Sequence, residues 1–433
     1  MMTRRWNHLI ARTRNEERTG RPLRRARRRA GVASHRVVPG GAWRRIIALS
    51  VGLLCLAGAA RSERPLPLRL TVNGTALVDG ATTVLLEGFN WQLGRTGPDP
   101  GALTKQLAPR ANTARIVGIL WGDTKPLSHH PNEECLTNTP PNYFNDECFG
   151  KIDALVKSAT DAGLWVILAA RGEFVAGQDY DSDPKSSIFR NETLRNMSYA
   201  MWRHVAAHFK SWDRIAALEV LSEPRDKTVD PVAVRDFYEG GCAAIQAVDP
   251  RTPCMVGAAP YYKLWNFDDR VLLRDSKNVI YTFDYFTPDA FVFGKTGSGA
   301  IPTYGQSYPC ATLYSGWVKK VCPTWHARGI IPFNASWHAH NFATYVETLQ
   351  QAYNVPVFMN QFAVIHGITE AHGRFAYVED LLRVARGHGV GFAWWTWSGG
   401  NDKGWSHGSS EIVFRWPNSS IMIDHAMLNT LFP

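Results

Sequence analysis

Several absences narrow the reading of this chain before any motif is considered. The charge-free apolar run Ile46–Ala60 stops at 15 residues, short of the 18 or more expected of an ordinary transmembrane helix. Its seven cysteines show no spacing of a zinc site, and no feature calls for a metal or an organic cofactor. No internal repeat at solenoid period is visible, which excludes a stacked-repeat architecture. Acidic residues are scarce at one end: residues 1–45 hold 14 Arg against two Glu, so the remainder, with 34 basic and 36 acidic groups, is close to neutral despite the net charge of +10. The folded part therefore lacks the basic surface of a nucleic-acid binder.

What is present begins with targeting. A basic segment, a 15-residue apolar run and the small residues Leu56-Ala57-Gly58-Ala59-Ala60 describe a secretory signal. Residues 1–45 read as a disordered, Arg-rich n-region, and 46–60 as a signal peptide or, uncleaved, a signal anchor with the Arg side cytosolic. Either reading places residues 65–433 in the secretory pathway, extracellular or lumenal, with membrane attachment only through 46–60. The competing readings are a basic tail with a buried helix and a nucleic-acid-binding arm. Six cysteines remain outside the apolar run, and fifteen connectivities are open to them. The expected one joins near neighbours: Cys135 with Cys148, Cys242 with Cys254, and Cys310 with Cys322. Sequons at Asn73, Asn191, Asn196, Asn334 and Asn418 fit glycosylation during export.

The pattern within 65–433 is of alternating strands and helices. Leu68–Asp79 alternates around Asn73-Gly74, a hairpin signal. Eight apolar strands follow, over 83–90, 112–117, 164–170, 216–221, 253–257, 278–283, 356–362 and 389–395. Between them 149–162, 192–209, 232–248, 339–353 and 373–388 carry helical spacing of apolar residues. Both faces of the strands read apolar, which argues for a closed parallel (β/α)8 barrel of the TIM type in place of an open sheet. At 433 residues one such domain explains the length, and a monomer is expected. Two long βα excursions, 120–148 and 288–337, each carry a proposed cystine and read as walls of a cleft.

Two stretches 138 residues apart carry the chemistry: Ala217-Leu218-Glu219-Val220-Leu221-Ser222-Glu223-Pro224 and Val355-Pro356-Val357-Phe358-Met359-Asn360-Gln361-Phe362. Each is an apolar strand that ends in a polar residue, as a barrel delivers side chains to its mouth. In these motifs and their order the chain resembles glycoside hydrolase family 5, the cellulase and mannanase family. The resemblance implies a (β/α)8 barrel acting on O-glycosidic bonds of a β-linked glycan or glycoconjugate. It implies Glu223 as general acid/base, and the nucleophile's position falls on Gln361, an amide where the family has Glu. Other departures accompany it: Ser222 for Asn before the acid, Asp284 and Phe286 for the strand-six His and Tyr, and Arg171 for the strand-three His. The resemblance places Arg115 beside the nucleophile, where Gln361 would give it no charge to hold. It makes Trp395 the floor under the central sugar, with Asn90, Trp91, Ser222, Tyr285 and Trp397 in the substrate-binding set. Trp265, Trp337, Trp121, Trp325 and Trp405 are further candidates on loops.

Retaining hydrolysis needs two carboxyls roughly 5–5.5 Å apart, and an inverting pair roughly 6.5–9.5 Å. The sequence supplies one retained acid, so Asp284, or less directly Glu173, is the candidate replacement base for water. The two expectations are a family 5 glycosidase with altered turnover and a carbohydrate-binding pseudoenzyme that keeps the cleft without catalysis.

Overall fold

The computed structural model describes residues 66–433 except 94–95, 98, 120–134, 136–144, 172–186, 225, 267–271, 275–276, 295–299, 315–328, 399–409 and 416–420. The readings of residues 1–60, and those of Trp121, Glu173, Cys322, Trp325, Trp405 and Asn418, lie outside the described residues. Among the described residues no helix is long and apolar enough to cross a membrane.

A small antiparallel sheet comes first: β1 (Thr71–Asn73), β2 (Ala76–Asp79) and β3 (Thr82–Thr83). Asn73 and Ala76 pair across the turn, and Gly74 takes φ +60 there, a conformation that glycine adopts without penalty. Eight parallel strands then close a barrel: β4 (Glu87–Gln92), β5 (Thr113–Ile119), β6 (Trp165–Arg171), β7 (Ile215–Ser222), β8 (Cys254–Gly257), β9 (Val279–Asp284), β12 (Val357–Phe362) and β13 (Gly391–Trp394). All eight expected strands are found within a few residues of the bounds read from the sequence.

Helices occupy the connections, among them α1 (Pro100–Leu107), α2 (Asp146–Asp161), α3 (Glu192–Phe209) and α4 (Pro231–Gln246). Their starts follow local chemistry. Asn145, Asn191 and Asp230 accept bonds from the first free backbone amides of α2, α3 and α4, each cap contributing about 1 kcal/mol. The excursion from β9 to β12 holds the short helices α5 (Asp289–Val292) and α6 (Cys310–Leu313), the hairpin β10 (Gln306–Pro309) with β11 (Ile330–Phe333), and α7 (Ala335–Asn341). A π-helical stretch, Phe342–Glu347, leads on into α8 (Thr348–Tyr353). After α9 (Arg374–Gly387) and β13, a second hairpin, β14 (Val413–Arg415) with β15 (Ile421–Ile423), precedes α10 (His425–Leu431). A bridge from Ser398 to Val413 joins that hairpin to the end of β13.

The core has two layers. Most apolar residues lie between strands and helices, while Trp165, Ile167, Ala217, Met255, Ile280, Phe358 and Ala393 form a separate inner cluster with Leu70 and Leu77 of the N-terminal sheet. The hairpin thus closes the floor, and burying each of its two leucines is worth about 1.5–3 kcal/mol. Arg69 fastens it: the guanidinium pairs with Asp249 at 3.2 Å and donates to Phe209 O at 3.0 Å and Lys210 O at 3.1 Å. Those carbonyls close α3, where a cation meets the negative end of the helix dipole. Two expected cystines are present, Cys135–Cys148 and Cys242–Cys254, with Cα atoms 4.9 and 5.5 Å apart. Cys310 is also disulfide-bonded.

Candidate functional site

The parallel strands deliver their last residues to one rim, and three of the expected positions meet there. Glu223 follows β7 in the left-handed region at φ +47, a conformation costly for a residue with a side chain. It is held by its neighbours: Tyr261, itself at φ +58, donates its backbone N–H to Pro224 O at 2.8 Å. Asp284, the last residue of β9, stands in register with Gln361 of β12, and the amide of Tyr285 donates to Gln361 O at 2.8 Å. Asp284 thus stands beside Gln361, and the charge of Glu223 bears on its carboxyl. Trp395, one residue past β13, is half-buried and donates its backbone N–H to Phe362 O at 2.9 Å.

Asp284 is 2% exposed, and neither carboxyl oxygen has a hydrogen-bond donor among the described residues. Its proton affinity is pushed well above the usual carboxylate range, first by burial, then by the charge of Glu223 and the hydrogen bond to it; Arg115 and Lys263 pull the other way. The role of inverting base expected of Asp284 requires an ionised carboxylate, the form that burial disfavours here.

Arg115 has a counterion that the sequence reading did not name. Its Nε and Nη2 donate to Glu219 Oε2 and Oε1, both at 2.8 Å, in a bidentate fork with neither side chain exposed. Nη1 donates to Asn90 Oδ1 at 2.6 Å and Nη2 also to Ser222 Oγ at 2.7 Å. Asn360 completes the set by donating to Glu219 Oε1 at 3.1 Å. Burial disfavours the guanidinium charge, but Glu219 outweighs it and holds Arg115 above its ordinary range. Asn90, Arg115 and Ser222 thus form the support beneath the rim. Glu219 and Asn360, read only as parts of apolar strands, are the members that the sequence reading passed over. The available signal was a lone Arg and a lone Glu in two apolar strands, a pattern that calls for mutual pairing.

Several proposed sugar contacts are closed to solvent. Tyr285 is fully buried, its hydroxyl bonded to His338 Nδ1 at 2.9 Å and accepting from Asn341 at 3.0 Å. Adjacent strand residues point to opposite sides, so with Asp284 directed at the mouth Tyr285 faces the helical layer. Trp91, Trp337 and Trp397 are likewise 0% exposed; Trp397 packs edge-on against Phe89 at 4.9 Å. Trp265 and Phe286 remain half-buried, with the Lys263 ammonium 5.9 Å from the Phe286 ring. His338, unforeseen, sits wholly buried among Tyr285, Trp337 and Tyr377, and burial lowers its pKa to about 3. Of the sequons, Asn73 and Asn196 are exposed, while Asn191 and Asn334 cap α3 and α7.

A closed parallel barrel with an acid at the end of its fourth strand and an indole past its eighth defines a glycosidase-type α/β barrel. The chain belongs to glycoside hydrolase family 5: the family model for cellulase (glycosyl hydrolase family 5) matches residues 110–401. Endoglucanase 3 of Fibrobacter succinogenes is 22% identical over 281 residues, which are 61% of this chain and 41% of that protein. Thermotoga maritima Cel5A, solved in a mutant form with cellobiose, superposes with a TM-score of 0.57 at 16% identity, over 81% of this chain and 97% of that one. The cellulose synthase subunit Z of Clostridioides difficile gives 0.56 at 17% identity, over 81% and 100%. At these identities the structural likeness shows the fold alone.

Proposed function

We propose that this barrel binds a β-linked polysaccharide or glycoconjugate across its mouth, with Trp395 under the sugar and Glu223 as the proton donor, and that double-displacement hydrolysis is disabled. The observation that carries this reading is Gln361 at the end of β12, in register with Asp284. A carboxamide is neutral and a poor nucleophile, so no covalent glycosyl intermediate forms on it, and turnover falls by several orders of magnitude relative to a two-carboxylate site. The relatives' names, endoglucanase and Cel5A with cellobiose, support a β-glucan as the first ligand to try. Two formed disulfides support an oxidising, secretory location.

A second reading is favoured by one feature. A pure binder has no need of an acid, yet Glu223 is kept at the end of β7 in a costly left-handed conformation at φ +47. Slow single-displacement hydrolysis would use it, with water activated by a group outside the described residues, Glu173 being the candidate.

Release of a chromogenic aglycone from β-glucosides, β-mannosides and longer oligomers, beside direct glycan binding, separates the two. Binding without release by the wild type, and a gain of roughly 100-fold or more in Gln361→Glu, is the expected result. Wild-type release that Glu223→Gln abolishes establishes the second reading. Absence of both binding and release overturns the proposal.

A further inference from the structure

We propose that the glycan taken at this mouth is acidic, with a carboxylate or sulfate on its sugar ring, and that Lys263 is the specificity-determining residue that receives the anion. The inference rests on the reading of the barrel as a glycan binder and names the class of glycan.

The backbone places Lys263 at the rim. β8 ends at Gly257, and the chain returns to the strand ends at Tyr262 and Lys263: the Asp284 amide donates to Tyr262 O at 2.8 Å, and Lys263 forms a parallel bridge with Asp284. Lys263 therefore lies beside the last residue of β9, whose neighbour on the other side is Gln361 of β12. Its side chain is half-buried, and the ammonium stands 5.9 Å from the centre of the Phe286 ring. An aromatic face at that distance attracts a cation weakly and accepts no ordinary hydrogen bond. An ammonium carries three N–H donors, and among the described residues those of Lys263 have neither a carboxylate at ion-pairing distance nor a hydrogen-bond acceptor. Arg115 differs, for its fork is filled by Glu219, Asn90 and Ser222.

The surrounding charges favour an anion here. A site with two ionised carboxylates repels an acidic sugar from both walls, but residue 361 is an amide. Asp284 is 2% exposed, and burial disfavours its charge. Glu223 keeps its carboxyl past β7, on the loop that also carries Lys227, whose ammonium lies 5.9 Å from the Tyr261 ring. A ligand anion gives Lys263 what the protein does not: charge-assisted hydrogen bonds, roughly twice as strong as neutral ones. A neutral glycan leaves the half-buried ammonium unpaired. Complementary charge of this kind acts on the choice of partner more than on raw affinity. Phe286 is half-buried as well, so the same sugar meets an apolar surface beside the charge.

The test is calorimetric titration of the full chain, at low and high salt, with three probes on one β-linked glucan backbone: cellohexaose, cellohexaose with its primary alcohols oxidised to carboxylates, and cellohexaose sulfated at those alcohols. The wild type is expected to bind an acidic oligomer about ten-fold tighter than the neutral one at low salt, and the advantage should shrink at high salt. Tighter binding of the oxidised oligomer assigns the anion as a uronate, and tighter binding of the sulfated one as a sulfate ester. Lys263→Met keeps the apolar stem without the charge and should bring the ratio of acidic to neutral affinity close to one, while Lys263→Arg should restore it. Should Lys263→Met fail to fold, the salt dependence of the wild-type ratio carries the test. Neutral cellohexaose bound as tightly as both acidic oligomers, or a ratio that survives Lys263→Met, overturns the proposal and leaves the glycan-binding reading in place. Absence of binding to all three probes removes both.

Discussion

Glu219→Gln is the sharpest perturbation this structure offers, because it changes a charge without changing a shape. Glu219 is fully buried and accepts from Arg115 twice at 2.8 Å and from Asn360 at 3.1 Å. The amide fills the same volume, so no cavity term arises, but Arg115 is left a buried cation without a counterion, and one amide N–H must face an N–H of Arg115 or Asn360. Breaking a buried pair from one side costs about 3–5 kcal/mol. For residues 64–433, one compact unit, an unfolding entropy of about 2.1 cal/mol/K per residue gives roughly 0.8 kcal/mol/K, so the midpoint of a two-state transition should fall by about 4–6 °C. Urea unfolding followed by tryptophan fluorescence measures the free energy, and calorimetry the midpoint. Pairing the change with Arg115→Met should recover part of the loss, since the stranded charge is then gone. A Glu219→Gln protein within 1 kcal/mol of wild type would refute the claim that this pair supports the rim.

Three further outcomes are expected. Trp395→Ala should weaken glycan binding by about 1 kcal/mol, roughly five-fold in Kd by calorimetry, with stability little changed because the indole is only half-buried. His338 has its pKa lowered to about 3 by burial against about 6.5 in an unfolded chain. The unfolded state therefore takes up the proton first: this contribution is complete above pH 6.5 and is lost as pH falls toward 3, by up to about 1.4 kcal/mol per pH unit, and urea midpoints of His338→Gln should lack that acid limb. Removing the Cys242–Cys254 bridge by Cys242→Ala with Cys254→Ala opens a loop of sequence separation 12 and should cost about 3 kcal/mol, read as a lowered urea midpoint.

The barrel was legible because its strands are apolar on both faces, a signature that survives divergence of the rim. Asn73-Gly74 likewise announced its hairpin through backbone chemistry alone. The site was legible only where position along a strand fixes position in space, as at Glu223, Asp284 and Gln361. Partners were less accessible. Arg115 and Glu219 lie 104 residues apart; each, alone in an apolar strand, calls for a partner, but the register that brings them together is set by the closed barrel. Tyr285 and Trp91 were placed at the mouth although strand alternation puts each opposite a neighbour that points inward, Asp284 and Asn90. The hairpins β10–β11 and β14–β15 were missed because short edge strands in long excursions leave little periodicity to read.

The bidentate clasp between Arg115 and Glu219 sits one level below residues 284 and 361, and is satisfied without either of them. It makes the molecule a plinth with an exchangeable crown. Substitutions in the crown alter what is gripped or cut while the plinth keeps its own partners. A workshop for grafting new sugar chemistry onto an old barrel would begin at those upper positions and leave the lower clasp alone.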